Sequence, residues 1–192
     1  ISSLISGKIF SFIGPFFRSK KTINNNFKNA FPNATEDEIK YYTKNMWNYY
    51  GRIFSEYPFL NSFRNNSKNI NIKIIGSEIL HELKSKNENA IFVSGHFDNF
   101  ELMAMNLEKA GINLAAIYRP LNNFFVDKIM VNLRKKYICK NQIKKGRASV
   151  RELVKLFKNG YSIALMIDQR VSEGIKSPFF LKDAYTTTIP GQ

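Results

Sequence analysis

Three short clusters hold the residues best suited to chemistry. They are Gly95-His96-Phe97-Asp98-Asn99-Phe100-Glu101, Arg119-Pro120-Leu121-Asn122-Asn123 and Asp168-Gln169-Arg170. His96 and Glu101 are five residues apart. On one continuous helix they would lie about 140° apart and could not meet. They meet only if His96 sits in a turn and Glu101 in the first helical turn, an arrangement favoured by Gly95 before and Asp98-Asn99 after. A carboxylate on one imidazole nitrogen fixes the tautomer and stabilises the imidazolium, so the other nitrogen can take a proton from a hydroxyl. This is the base-and-orienter part of a catalytic triad, with the substrate's own hydroxyl as nucleophile. A plainer reading fits the same residues. Asp98 and Glu101 have capping-box-like spacing, which would leave Glu101 as a helix cap and His96 as an ordinary turn histidine. Spacing alone leaves both open.

Arg119 and Arg134 suit phosphate binding or carbonyl polarisation, and also fit ordinary surface charge. Asp168 is placed to orient Arg119 or Arg134, or to shape a loop. Between positions 134 and 147 there are seven cations and no acid, which fits a solvated face or an anionic partner. The single cysteine, Cys139, excludes an internal disulfide and a Cys-rich zinc site, and it has no histidine nearby to make it a nucleophile. With only His81 and His96 available, a multi-histidine metal centre is not expected. The sequence has no Gly-rich phosphate loop and no recognised nucleic-acid module.

The three clusters converge only if the elements before them are parallel strands. Apolar stretches at 90–94, Leu114–Tyr118 and 162–167 read as strands, each ending directly before one cluster. Further strands are expected at 70–75 and 137–140. Helices are expected at 77–86, 99–110, 123–136 and Ser149–Lys158, the last closed by Asn159-Gly160. Alternating strands and helices imply an α/β domain with a mostly parallel central sheet flanked by helices, and a site beyond the carboxyl ends of the strands. Upstream, Thr35 with Glu38 marks a helix start, Pro58 a helix stop, and 61–69 a polar loop.

The 192 residues, 44% hydrophobic and 14% aromatic, suffice for one such domain and exclude a disordered chain. The net charge of +14 points to a polyanionic partner, whether nucleic acid, anionic membrane or acidic protein. Residues 1–17 carry one charge, Lys8, with Leu4, Ile5, Ile9, Phe12, Ile13 and Phe16 at helical spacing, and Arg18, Lys20 and Lys21 follow. The stretch is short for a span and is interrupted by Gly14 and Pro15. It reads as an interfacial helix or the end of a spanning one, against the alternative of a core-packing terminal helix. No signal-peptidase site follows it. Because the chain starts at Ile1 and stops just after Pro190-Gly191, it is expected to be a piece of a longer protein.

From Gly95 to Glu101 the sequence resembles the bacterial lipid A late acyltransferases, which share a His-x4-acid motif with glycerolipid acyltransferases. The ordered set that follows strengthens the likeness: Tyr118-Arg119-Pro120-Leu121-Asn122-Asn123, Asp168-Gln169, Pro178-Phe179-Phe180 and a Thr-rich stretch to Pro190-Gly191. Upstream, Asn26-Phe27-Lys28-Asn29-Ala30-Phe31-Pro32 is similar to the family's Asn-Leu-x-x-x-Phe-Pro region, and the Pro-Glu-Gly-Thr block of the glycerolipid branch is absent. The resemblance implies a membrane-associating segment at 1–21 and an acyltransferase domain at 22–192 that continues past the last residue. It implies acyl carrier protein as donor and a lipid A precursor hydroxyl as acceptor, at an anionic membrane surface on the cytoplasmic face of the bacterial inner membrane. No metal, bound cofactor or nucleic acid is implied. His96, Glu101 and Arg134 inherit catalytic roles; Arg119, Asn122, Asn123 and Asp168 inherit supporting or substrate-binding roles. The sequence departs from the family in three places: Asp98 replaces the usual Gly, Phe100 the usual Trp, and Leu181 a Gly after the Phe-Phe pair. The rivals are an acyltransferase for another glycolipid or lysophospholipid and a non-catalytic basic membrane binder.

Overall fold

A computed structural model describes residues 1–65, 72–146, 148–168 and 174–186. The chain divides into two compact units, Ile1–Phe59 with Ser177–Ala184, and Leu60–Lys176 with Tyr185–Gln192.

In the first unit, helix α1 (Ser2–Ile13) ends in a 3-10 turn at Gly14–Phe16, followed by α2 (Lys20–Ala30) and α3 (Glu36–Glu56). Thr35 starts α3 as the sequence predicts: its Oγ1 accepts from Glu38 N–H at 3.2 Å, and its own N–H donates to Glu38 Oε2 at 2.8 Å. Helix α1 packs on α3 through small residues. Ser6 Oγ donates to Gly51 O at 2.7 Å, and a Cβ on Gly51 would come 2.5 Å from Ser6 O, so only glycine permits this approach. Of the apolar side chains of α1, Phe10 joins that contact and stacks on Phe54 of α3 with centroids 5.7 Å apart, whereas Leu4, Ile5, Ile9 and Phe12 are each at least half exposed. Among the described residues no helix is long and apolar enough to cross a membrane.

The second unit begins with α4 (Leu60–Asn65) and α5 (Ser77–Ser85). It then alternates β1 (Ile91–Ser94), α6 (Glu101–Lys109), β2 (Leu114–Tyr118), α7 (Phe124–Tyr137), β3 (Asn141–Lys144), α8 (Ser149–Lys158) and β4 (Ser162–Met166). The four strands form one parallel sheet in the order β1-β4-β2-β3. Ala115, Ile143, Ile163 and Leu165 of the sheet pack with Leu153 of α8 in the core. Strands β5 (Ile175–Phe179) and β6 (Lys182–Thr186), which the sequence reading did not foresee, pair as a separate ribbon.

Three elements differ from expectation. The strand expected at 137–140 lies at Asn141–Lys144, because Ile138 and Cys139 are apolar for a different reason. They are buried at the turn that ends α7, where Ile138 N–H donates to Arg134 O. Residues 72–75 form no strand and lead into a turn at Gly76, whose φ of +82° starts α5; positions 70 and 71 lie outside the described residues. The first part of the expected polar loop is α4, fixed by Arg64, which donates to Tyr137 O at 3.0 Å and pairs with Glu108 at 3.0 Å.

Candidate active site

Strands β1 and β4 are parallel neighbours with Ser94 opposite Met166, so the chain leaves both at the same edge of the sheet. That register brings His96 to Asp168 across 72 residues. Asp168 Oδ2 accepts the His96 backbone N–H at 2.7 Å, and Oδ1 lies 2.7 Å from His96 Nδ1. The carboxylate makes Nδ1 the proton-bearing nitrogen and leaves Nε2 as the acceptor. The imidazole also packs edge-on against Phe100, with centroids 4.7 Å apart. A Cβ on Gly95 would sit 2.8 Å from the exposed Phe97 ring and 3.1 Å from Asp168 Oδ2, so a larger residue there would have to displace both. Burial pushes the Asp168 carboxyl up, but the hydrogen bonds from the His96 backbone and ring, with the charge of the imidazolium, outweigh it and hold the carboxyl below its ordinary value.

Glu101 is the first residue of α6, only 6% exposed. Its Oε1 accepts from Arg134 Nε at 2.8 Å and from Nη2 at 2.5 Å. Two expectations are corrected by this. His96 is held by Asp168 and not by Glu101, and Asp168 holds His96 and not Arg119 or Arg134. The local spacing of five pointed to a near neighbour, whereas adjacent parallel strands supply a distant one. The capping reading of Glu101 also fails, since the N-cap is Phe100 and no side chain caps the helix. Asp98, where the resembled family has Gly, takes φ +42°, a conformation glycine adopts freely and aspartate tolerates better than most residues.

His96, Glu101 and Arg134 line one open pocket of about 520 Å³, together with Arg119 and Asn122. Its apolar part includes Ala104, Ala116, Ala164 and Met166, drawn from α6, β2 and β4. Asn123, expected among the substrate ligands, is outside this lining and caps α7: its Oδ1 accepts from Phe125 N–H at 3.0 Å and Val126 N–H at 3.2 Å. Gln169 and Arg170 lie outside the described residues. The sequence reading did not single out Gln142 or Lys145, which also line the pocket. Lys145 stood in the basic run, but its place follows from the pairing of β2 with β3, Tyr118 opposite Lys144.

No serine, threonine or cysteine is among the lining residues described, so the arrangement offers a base and a guanidinium but no hydroxyl or thiol nucleophile on the small side chains. Cys139 is fully buried, and that burial pushes its thiol up to about 12. No cluster of three or more metal-binding side chains occurs among the described residues.

No curated protein matches the chain. A family model described as bacterial lipid A biosynthesis acyltransferase matches residues 2–192. The chain belongs to that family and is an acyltransferase of the lipid A biosynthesis type.

Proposed function

We propose that the protein moves a fatty acyl group from an acyl carrier protein thioester to a hydroxyl of a lipid A precursor, at the cytoplasmic face of the inner membrane. The observation that carries this reading is His96, with Nδ1 on Asp168 and its ring in a partly apolar pocket without a serine, threonine or cysteine. Nε2 takes the proton of the acceptor hydroxyl as that oxygen attacks the thioester carbonyl. Asp168 holds the tautomer and stabilises the imidazolium that forms. Arg134, positioned by Glu101, lies on the pocket wall to stabilise the tetrahedral oxyanion. The intermediate collapses, the carbon–sulfur bond breaks, and the imidazolium returns its proton to the departing thiolate. The product carries an acyloxyacyl group, and the step needs no metal or bound cofactor. Arg119 and Asn122, beside Gln142 and Lys145 on the pocket wall, are free of a role in the proton transfer and contact substrate.

The outward apolar face of α1 suits insertion into one leaflet. The net charge of +14 suits lipid phosphates and an acidic carrier protein. The test is mass spectrometry of lipid A from a host lacking its own late acyltransferase, expressing the full-length gene or its His96→Ala version. The expected result is one added acyl chain with the first and none with the second. Acylation of another glycolipid or a lysophospholipid, with lipid A unchanged, would overturn the choice of acceptor.

A further inference from the structure

Helix α7 is anchored to the site on one side only. Arg134 holds Glu101 and lines the pocket, as do Leu121 and Asn122 just before the helix. Yet none of its fourteen residues is fully buried. Phe124, Phe125 and Ile129 are 72%, 77% and 60% exposed, and Leu121 and Val126 are more exposed than buried neighbours of their type. Phe124 and Phe125 pack edge-on against each other, with centroids 5.9 Å apart. Positions 125, 129, 132 and 136 follow one line along the helix, so the exposed face runs from aromatic to basic. Lys128, Lys135 and Lys136 are exposed on the helix, and Lys140, Lys144 and Lys145 are exposed beyond it. The one acid of the helix, Asp127, uses its carboxylate to accept Leu121 N–H at 2.8 Å and so braces the loop at the pocket.

We infer that α7 is an interfacial helix that seats the pocket on an anionic lipid surface, with Phe124, Phe125 and Ile129 among the acyl chains and the lysines at the phosphates. This rests on the acyltransferase reading above and adds to it the route by which a lipid acceptor meets His96: laterally, from the bilayer beside the Leu121–Asn122 loop. Lysines alone would fit an acidic protein equally well. The aromatic end decides for lipid, because Phe124, Phe125 and Val126 stand consecutive and exposed at the start of the helix and gain most from hydrocarbon, while Lys128, Lys135 and Lys136 on the same helix gain from anionic headgroups.

The experiment uses the unreactive Cys139 as an advantage. In Phe125→Cys the new thiol is the one that an environment-sensitive fluorophore can reach, and Glu152→Cys on the exposed side of α8 serves as control. Both labelled proteins are mixed with phosphatidylcholine vesicles, with and without phosphatidylglycerol, containing lipids brominated along the acyl chain. The expected result is a blue shift and several-fold stronger quenching at position 125 than at 152, requiring phosphatidylglycerol and weakening with salt as screening shortens to roughly 8–10 Å. Equal quenching at both positions, or none at 125, overturns the inference. A change at 125 on adding acyl carrier protein without vesicles, and none with vesicles, also overturns it, in favour of protein docking. The readout does not depend on turnover. Quenching at 125 in a protein that acylates no lipid would therefore overturn the acyltransferase reading and leave the surface standing.

Discussion

Helices α1 and α8 have twelve and ten residues, and they bury opposite kinds of side chain. Helix α8 lays Leu153 into the sheet core and keeps Arg151, Glu152, Lys155 and Lys158 outside. Helix α1 turns Ser3, Ser6 and Ser11 toward α3, where each hydrogen-bonds a residue of that helix, and leaves Leu4, Ile5, Ile9 and Phe12 uncovered. The first is held by hydrophobic burial in water. The second is held by close backbone approach, hydrogen bonds from its serines and the stacking of Phe10 on Phe54. The contrast teaches that an apolar stripe in a sequence identifies a face without saying what covers it.

That contrast breaks or sharpens by substitution. Leu153→Ala should cost about 2–5 kcal/mol of unfolding free energy in a denaturant titration, through lost burial and a residual cavity. Gly51→Leu should cost about 1–3 kcal/mol, because the added side chain meets Ser6 O and the Phe10 ring. Phe12→Ser should change stability by no more than about 0.5 kcal/mol, since Phe12 is 74% exposed. The same variant should reduce retention on anionic vesicles. A Phe12→Ser cost as large as that of Leu153→Ala would mean that the face is covered by protein, and the contrast would fail.

The two ion pairs of the site repeat the comparison on a smaller scale. Glu101 and Arg134 are 7% and 16% exposed at their side chains, whereas His96 and Asp168 are 33% and 39% exposed. Removing a partner from the buried pair disturbs the fold; doing so in the open pair disturbs mainly the site. Because the Asp168 carboxyl is held below its ordinary value, its stabilising contribution is complete above the ordinary carboxylate pKa of about 3.9 and is lost as pH falls through the lower, folded value. Melting curves of wild type and Asp168→Asn should therefore differ at mildly acidic pH and converge as pH falls further, through the folded carboxyl value. A gap that persists undiminished at strongly acidic pH would contradict the hydrogen-bonding account of Asp168.

Much of this was legible in the sequence. The ends of β2 and α8 match the apolar periodicity, and Gly160, at φ +82°, closes α8 as its residue type predicts. The convergence of His96, Arg119 and Asp168 followed from three apolar strands, each ending at a reactive cluster. The pairing within the site did not follow. Which carboxylate reaches His96 depends on β4 inserting between β1 and β2, and strand order is a property of packing that no local spacing encodes. Ile138 and Cys139 misled for a related reason, since burial at a helix end and burial in a strand select the same residue types.

The account rests most heavily on His96 as the base. The direct measurement is the rate of acyl transfer by purified full-length His96→Ala, read beside its melting temperature. The account predicts a loss on the order of 10²–10⁴-fold, with melting within a few degrees of wild type, because the imidazole is part of an open pocket and not of the core. A rate close to wild type in a folded His96→Ala protein would contradict it.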